Sequence, residues 1–456
     1  MTKEIRVNAF VSTSPVHQSP GLWRHPRDTS LAFTDLDHWT DLAQVLERGL
    51  IDAVFIADSI GFNDVHGGSV EAAIRYGAQV PKLDPFMAIP AMALVTEHLG
   101  FGITGNISYE PPYLFARRLS TLDHLTNGRA GWNIVTGHYE SGARAMGQTG
   151  VVEHDRRYDI ADEFMSLMYA LWETSWEDGA VVADSIYVQP EKVHRIKHAG
   201  DYFRLDAIHL AEPSPQRTPV LFQAGTSPRG RAFAATHAEC VFLSGPTPQT
   251  IAPRIADIRR LASLRGRDPA DVLIFAMATV IVGATEQEAR AKLAEYRRYV
   301  STEAAVVIFS GWTGIDFSKY RLDDPIPYIR KDNAVTSALD VFTVADPDRV
   351  WTLRELAEHN AVGGRGPLFV GSPTQVADAI ETWIEQTGAD GLNLSYAVVP
   401  ESYADFATHV VPELQRRGRY KRSYAPGVLR EKLYGAGRSY LPASHPGGGA
   451  RTVAFG

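Results

Sequence analysis

Eight short apolar runs, separated by helix-like stretches, constrain the fold of this chain more than any other feature. They are IRVNAFV (5–11), DAVFIAD (52–58), FGITGNI (101–107), GWNIVTG (131–137), VLFQAG (220–225), CVFLSG (240–245), IFAMATVIVG (274–283) and GLNLSYA (391–397). Each is rich in Val, Ile and Phe without sustained in-out alternation, the pattern of parallel strands covered on both faces. Stretches such as DLDHWTDLAQVLERG, PFMAIPAMALVTEH and YDIADEFMSLMYALWE lie between them and repeat apolar residues every three or four positions, as amphipathic helices do. Capping-box patterns at Thr285 to Glu288 and Ser372 to Gln375 mark two helix starts. Eight βα repeats predict an α/β fold, a closed (β/α)8 TIM barrel over 1–420 followed by a C-terminal arm at 421–456. A doubly wound open sheet is the competing architecture.

The chain has 456 residues, against about 250 for a plain barrel. The surplus falls in long connections at 12–34, 59–83, 138–156, 174–218 and 301–365. Most are expected to gather at the C-terminal face, where barrel enzymes keep their chemistry. The Gly-, Pro- and Tyr-containing end reads as an arm that packs on a neighbour or frays.

Composition narrows the function. A net charge of −8 and no compact Lys/Arg block argue against a nucleic-acid binder, which needs a basic face for phosphates. The single cysteine, Cys240, allows no internal disulfide and no four-cysteine metal site. It sits in CVFLSG, where a buried, inert thiol is expected. The N-terminus has no extended apolar region and no run of 18 apolar residues occurs, so a cytoplasmic location is expected.

Motif chemistry is mostly negative. Gly100, Gly102 and Gly105 spell G-x-G-x-x-G, but the string lies across a predicted strand rather than after one, so it is no dinucleotide turn. HExxH is absent, and GTSPRG has one residue too many for a hydrolase elbow. His194 and His198 read as solvent-exposed histidines in an insertion, without a paired acidic base. The positive signal is PVLFQAGTSPRGRAFAATHA (219–238), which runs from a strand into a helix with Ser227 as N-cap and Pro228 at the first helical position. Such a loop aims amides at a phosphate, and Arg229 and Arg231 lie nearby; an ordinary capped turn is the bland alternative. Asp58, Thr104, Asn133 and His138 fall at strand ends where a barrel site would need polar groups.

The segments GLWRHP (21–26), FIADSIGFNDV (55–65), STLDHLTNGRAGWNIVTG (120–137), EHDRRYDIADEF (153–164), EPSPQRTPVLFQAGTSPRGRAFAA (212–235) and SGWTGIDF (310–317) resemble the flavin-dependent monooxygenases of the bacterial-luciferase superfamily. The resemblance is to the branch acting on nitrilotriacetate, dibenzothiophene sulfone, long-chain alkanes and dimethyl sulfide, and runs from residue 5 to about 435. It implies a barrel that binds FMN without a covalent bond, takes it reduced from a separate NAD(P)H:flavin oxidoreductase, and forms a flavin peroxide with O2 to oxygenate a small organic substrate. It also implies a homodimer or homotetramer, with no nucleic-acid or membrane partner and no metal.

Carried over by residue, the resemblance puts Asp58 and Thr104 near the isoalloxazine and Gly137 and His138 beside its reactive edge. His154 and Tyr158, with Gly225, Thr226 and Ser227, are to hold the phosphate and ribityl chain. His138 is the catalytic candidate, since an imidazole with a pKa near neutrality can pass a proton; a purely orienting role is equally open. Phe309, Trp312 and Phe317 in 301–365 are expected as an apolar cover, or simply as packing for that insertion. Ser14 and Asn63 stand where the alkane-oxidising enzyme has cysteine and tyrosine, which weakens an alkane reading, and SGWTGIDF with GRGPLFVGSPTQVADAIETWIEQTGADGLNLSYAV resembles the dimethyl-sulfide members of the branch, which favours a dialkyl-sulfide-type substrate; a long-chain alkane or a heteroaromatic such as riboflavin stays open. A barrel hydrolase, a non-catalytic flavin-binding protein and a deazaflavin enzyme are the alternatives.

Overall fold

All eight apolar runs become strands of one closed sheet. The computed structural model describes residues 3–327 and 349–455. Strands β1 (Arg6–Ser12), β2 (Ala53–Ala57), β3 (Gly100–Asn106) and β4 (Ala130–Val135) pair in parallel in chain order. A two-stranded antiparallel ribbon, β5 (Ile196–Ala199) with β6 (Arg204–Ala207), then lies outside the barrel. The wall resumes with β7 (Val220–Gln223), β8 (Cys240–Leu243) and the ten-residue β9 (Leu273–Val282). The short β10 (Leu368–Gly371) pairs only with the upper half of β9, Leu368 opposite Thr279. The lower half of β9 takes β11 (Gly391–Ser395), which returns to β1 and closes the barrel. The doubly wound alternative is thereby excluded.

Alternate residues of each strand serve two cores. Val7, Ala9 and Val11 face outward and join the same core as Trp39, Leu42 and Leu46 of the helix Leu36–Arg48. Each buried branched side chain there stabilises the fold by about 1.5–3 kcal/mol. Inside the barrel, Phe10 stacks on Phe55 (ring centroids 5.0 Å apart), Phe55 on Phe242 (4.0 Å) and Phe222 on Phe242 (5.4 Å). Gly131 makes room for this stack, since a Cβ there would lie 2.4 Å from the Phe222 ring.

Two outer segments differ from expectation. Residues 421–455 of the C-terminal arm do not fray but pack on their own chain: Leu429 and Leu433 join the interior phenylalanines from below, and the Leu429 amide donates to the Gly128 carbonyl. The insertion 174–218 is anchored at the N-terminal face, where Gln216 Nε2 donates to the Ala130 carbonyl at the start of β4. Its ribbon then climbs the outside of the helix His154–Tyr169, and the Tyr202 and Phe203 amides donate to Glu163. The stretch PFMAIPAMALVTEH makes only a turn at Pro85–Met87 and a six-residue helix Ile89–Leu94, because each proline removes a backbone donor. No helix among the described residues is long and apolar enough to cross a membrane.

Candidate active site at the barrel mouth

The phenylalanine stack ends in a polar layer at the C-terminal ends of the strands. Thr104 Oγ1 on β3 donates to the Ile56 carbonyl (2.8 Å) and accepts from Asn133 Nδ2 on β4 (3.0 Å), tying three neighbouring strands together. Beside them opens a cleft of about 410 Å3 lined by Asp58, Lys82, Phe86, Thr104, Asn106 and Tyr109. Past Tyr109, Glu110 and Met146 it meets a second lobe of about 550 Å3, bounded by Thr136, Arg157, Tyr202 and Phe203. Burial raises the proton affinity of Asp58, and Lys82 opposes that rise.

Gly137 turns the chain out of β4 with φ +67°, and a Cβ there would also lie 2.8 Å from Asn106 Nδ2, so both backbone and space require glycine. Its carbonyl accepts from the Arg157 guanidinium. Next to it, His138 Nε2 is buried without a partner. Burial, then the charges of Arg157, Lys82 and Arg365, push this imidazole down to about 4. The expectation of a near-neutral pKa is therefore corrected: His138 is a neutral imidazole at physiological pH, able to hold or accept a proton but not resident as an acid.

The phosphate-type loop forms as the sequence predicts at its cap. Ser227 Oγ accepts from the Gly230 amide (3.0 Å), and Pro228 opens the helix Pro228–His237. The buried Tyr158 hydroxyl reaches the same spot, because a Cβ on Gly225 would sit 2.7 Å from it and one on Gly230 2.8 Å. His154 starts the neighbouring helix and is partly exposed, its Nδ1 2.6 Å from Asp155 Oδ1. Thr226 offers its carbonyl to Arg231. The two arginines are otherwise committed: Arg229 pairs with Asp159 and Asp162, and Arg231 with Asp257. They brace the loop from outside rather than adding open charge to it.

Two further readings are revised. His194 and His198 are not without acidic partners, since they lie 2.7 and 2.8 Å from Glu177 and Glu163. No group of three or more metal-ligating side chains occurs among the described residues. Gly100 and Gly105 are packing glycines of β3, facing Leu429 and the Phe115 and Trp132 rings. Cys240 is buried as expected, and burial raises its thiol well above the usual range.

Above the mouth, Phe309 and Trp312 on the helix Thr302–Thr313 and the nearby Phe317 gather with Ile315, Leu353 and Leu356 into a separate apolar cluster. The rest of the expected cover, 328–348, lies outside the described residues. Lys82, Arg157 and Arg365 were not singled out from the sequence. Arg157 lies in the quoted EHDRRYDIADEF segment, on the helix His154–Tyr169, while Lys82 and Arg365 sit in two distant loops, so only the closed barrel brings the three around His138.

A closed barrel with a polar cleft at the C-terminal ends of its strands is the architecture of a barrel enzyme. The chain belongs to the luciferase-like monooxygenases, the family that matches residues 11–391, and it is a flavin-dependent monooxygenase. It is 46% identical over 449 residues to a dimethyl-sulfide monooxygenase of Hyphomicrobium sulfonivorans, covering 98% of this chain and 93% of that one. It is also 46% identical over 448 residues to a long-chain alkane monooxygenase of Geobacillus thermodenitrificans, covering 98% and 97%. A riboflavin lyase crystallised with modified FMN and riboflavin superposes with a TM-score of 0.91 at 37% identity, over 98% of this chain and all of the other.

Proposed function

We propose that this chain is the oxygenase half of a two-protein system, taking reduced FMN from a separate NAD(P)H:flavin oxidoreductase and using O2 to oxygenate a small dialkyl-sulfide-type substrate. The observation that carries the reading is the set of orphaned polar atoms at the mouth. His138 Nε2, Asn133 Oδ1, Arg157 Nε and Gln223 Oε1 are buried without partners, which is costly unless a ligand rich in donors and acceptors meets them. FMN has that character. Tyr158, Ser227, Gly225, Thr226 and His154 would hold its phosphate and ribityl chain, and Asp58 and Thr104 its ring, with Gly137 allowing close approach.

The flavin, when bound, supplies the redox chemistry that activates O2. The protein's own part is position, dryness and proton control. His138 holds one ring proton as a neutral imidazole and leaves the other nitrogen to accept, while the Phe309, Trp312 and Phe317 cluster keeps water out. The absence of a nicotinamide-type turn in the sequence supports reduction on another protein.

Ser14 and Asn63, standing where the alkane-oxidising enzyme has cysteine and tyrosine, favour a small sulfide over a long alkane. Assembly as a homodimer or homotetramer belongs to the same proposal. It is supported by the exposed Met87, Leu94, Leu114 and Leu125 on adjoining segments and is read by light scattering.

The test supplies reduced FMN anaerobically, admits O2, and follows hydrogen peroxide release and substrate loss with dimethyl sulfide, a long-chain alkane or riboflavin present. Sulfide loss with a matching fall in peroxide is expected. Saturable flavin binding with full peroxide release whatever the substrate would leave only a flavin-binding protein.

A further inference from the structure

We infer that Lys82 makes the mouth discriminate between the two redox states of its flavin, favouring the reduced ring; the inference rests on the flavin reading above. The Lys82 ammonium is buried in the wall of the lobe that also contains Asp58 and Thr104. Its hydrogen bonds go to Ser59 alone, 2.6 Å to Oγ and 3.3 Å to the carbonyl. Among the described residues no carboxylate comes within ion-pair distance of it, and Asp58 acts on it only from farther away. A buried cation without a paired anion is costly to the fold, several kcal/mol in typical cases, unless an anion arrives to meet it.

The carboxylates of the lobe offset that charge only in part: Asp58 and Asp84 make no ion pair with Lys82, and Glu110 is held by Arg118. Lys82 and Arg365 both bear on His17 and His138, and Arg157 adds to the field at His138, so three cations converge on two neutral imidazoles. Only Lys82 belongs to the lobe of Asp58 and Thr104. Arg157 lines the neighbouring lobe, and Arg365 lies over the Trp312 ring, 4.6 Å from its centre.

The two redox states of a flavin differ in charge at this end of the molecule. The reduced isoalloxazine loses the N1 proton near neutral pH and carries a negative charge delocalised over N1 and the adjacent carbonyl, whereas the oxidised ring is neutral. The phosphate is the same in both. A fixed ammonium beside the ring therefore strengthens binding of one state and not the other, and the low dielectric of a buried site magnifies the difference. Such a bias suits an enzyme that must admit reduced cofactor and let oxidised cofactor go.

The experiment compares the whole protein with Lys82→Met and Lys82→Arg. Affinity for oxidised FMN is read by quenching of its fluorescence, and affinity for reduced FMN by anaerobic titration. The wild type is expected to favour the reduced form, and Lys82→Met to lose about tenfold or more of reduced-form affinity while oxidised-form affinity changes less than about twofold. The midpoint potential of the bound flavin then falls by about 30 mV, the two-electron equivalent of tenfold. Lys82→Arg should restore most of the bias.

Equal weakening of both states by Lys82→Met would overturn the inference. Lumiflavin, which has the ring without the phosphate, supplies a second measurement on unaltered protein: the bias must persist with it, and its disappearance would overturn the inference. If the wild type binds neither form of FMN saturably, it is the flavin reading that fails.

Discussion

Arg430 clamps both oxygens of Glu239, Nε to Oε1 at 2.7 Å and Nη2 to Oε2 at 3.0 Å, with the two side chains only 1% and 4% exposed. The pair joins the C-terminal segment to the foot of β8. Arg430 also donates to the Thr218 and Ser439 carbonyls, so its removal strands several buried acceptors. Arg430→Met is expected to cost about 3–5 kcal/mol, the scale for breaking a buried pair from one side. Urea denaturation checks this, and a loss below about 1 kcal/mol would show that the segment is not a structural part of the barrel.

Acid should weaken the fold through the mouth. Burial, then Lys82 and Arg365, hold His17 down to about 3, and burial with the three cations holds His138 down to about 4. In the unfolded chain both take up protons near pH 6.5. Between those values the unfolded state binds more protons, so their contribution to stability is complete above about pH 6.5 and is lost as the pH falls toward 4. Each imidazole contributes a slope of ~1.4 kcal/mol per pH unit. His138→Asn should flatten the stability profile between about pH 6 and 4.5 by close to one proton; an unchanged slope would place His138 in contact with water.

Gly311 sits inside the helix Thr302–Thr313, where glycine ordinarily costs about 1 kcal/mol relative to alanine. Its reason is Asn63: a Cβ at 311 would meet Asn63 Oδ1 at 1.8 Å, while Asn63 Nδ2 is held by the Ala78 carbonyl (3.0 Å). Gly311→Ala is therefore expected to destabilise by about 1–3 kcal/mol despite its better helix propensity. Adding Asn63→Ala should recover most of the loss in thermal unfolding. Failure to recover it would mean that the two residues are not coupled.

Ser227→Ala removes the oxygen that caps the Gly230 amide and lies beside the Tyr158 hydroxyl. Loss of one hydrogen bond, about 1 kcal/mol, corresponds to roughly fivefold weaker FMN binding. Ser227→Thr keeps the oxygen and should bind nearly as well. Equal affinities for all three proteins would separate this loop from the cofactor.

The barrel itself was legible because its eight inner strands are buried on both faces and so read as unbroken apolar runs. The features that were missed lack that signature. The ribbon strands IKHA and RLDA are largely polar and half solvated, and β10 is a four-residue strand hung on the overhanging end of β9. Asp58, Thr104 and His138 could be placed because each ends or closely follows a strand. Lys82 and Arg365 could not, since each sits in a loop whose course depends on tertiary packing. Their effect on His138 exists only once residues more than 200 positions apart share one space. The near-neutral pKa expected for His138 failed for the same reason, because desolvation and neighbouring charge are properties of the assembled mouth.

Among the described residues, the stacked rings of Phe55, Phe222 and Phe242, corked from beneath by Leu429, fill the bore of the barrel. Whatever the mouth binds therefore enters and leaves from the C-terminal side rather than through the bore, so a change among these rings alters the floor of the site and not a route to it.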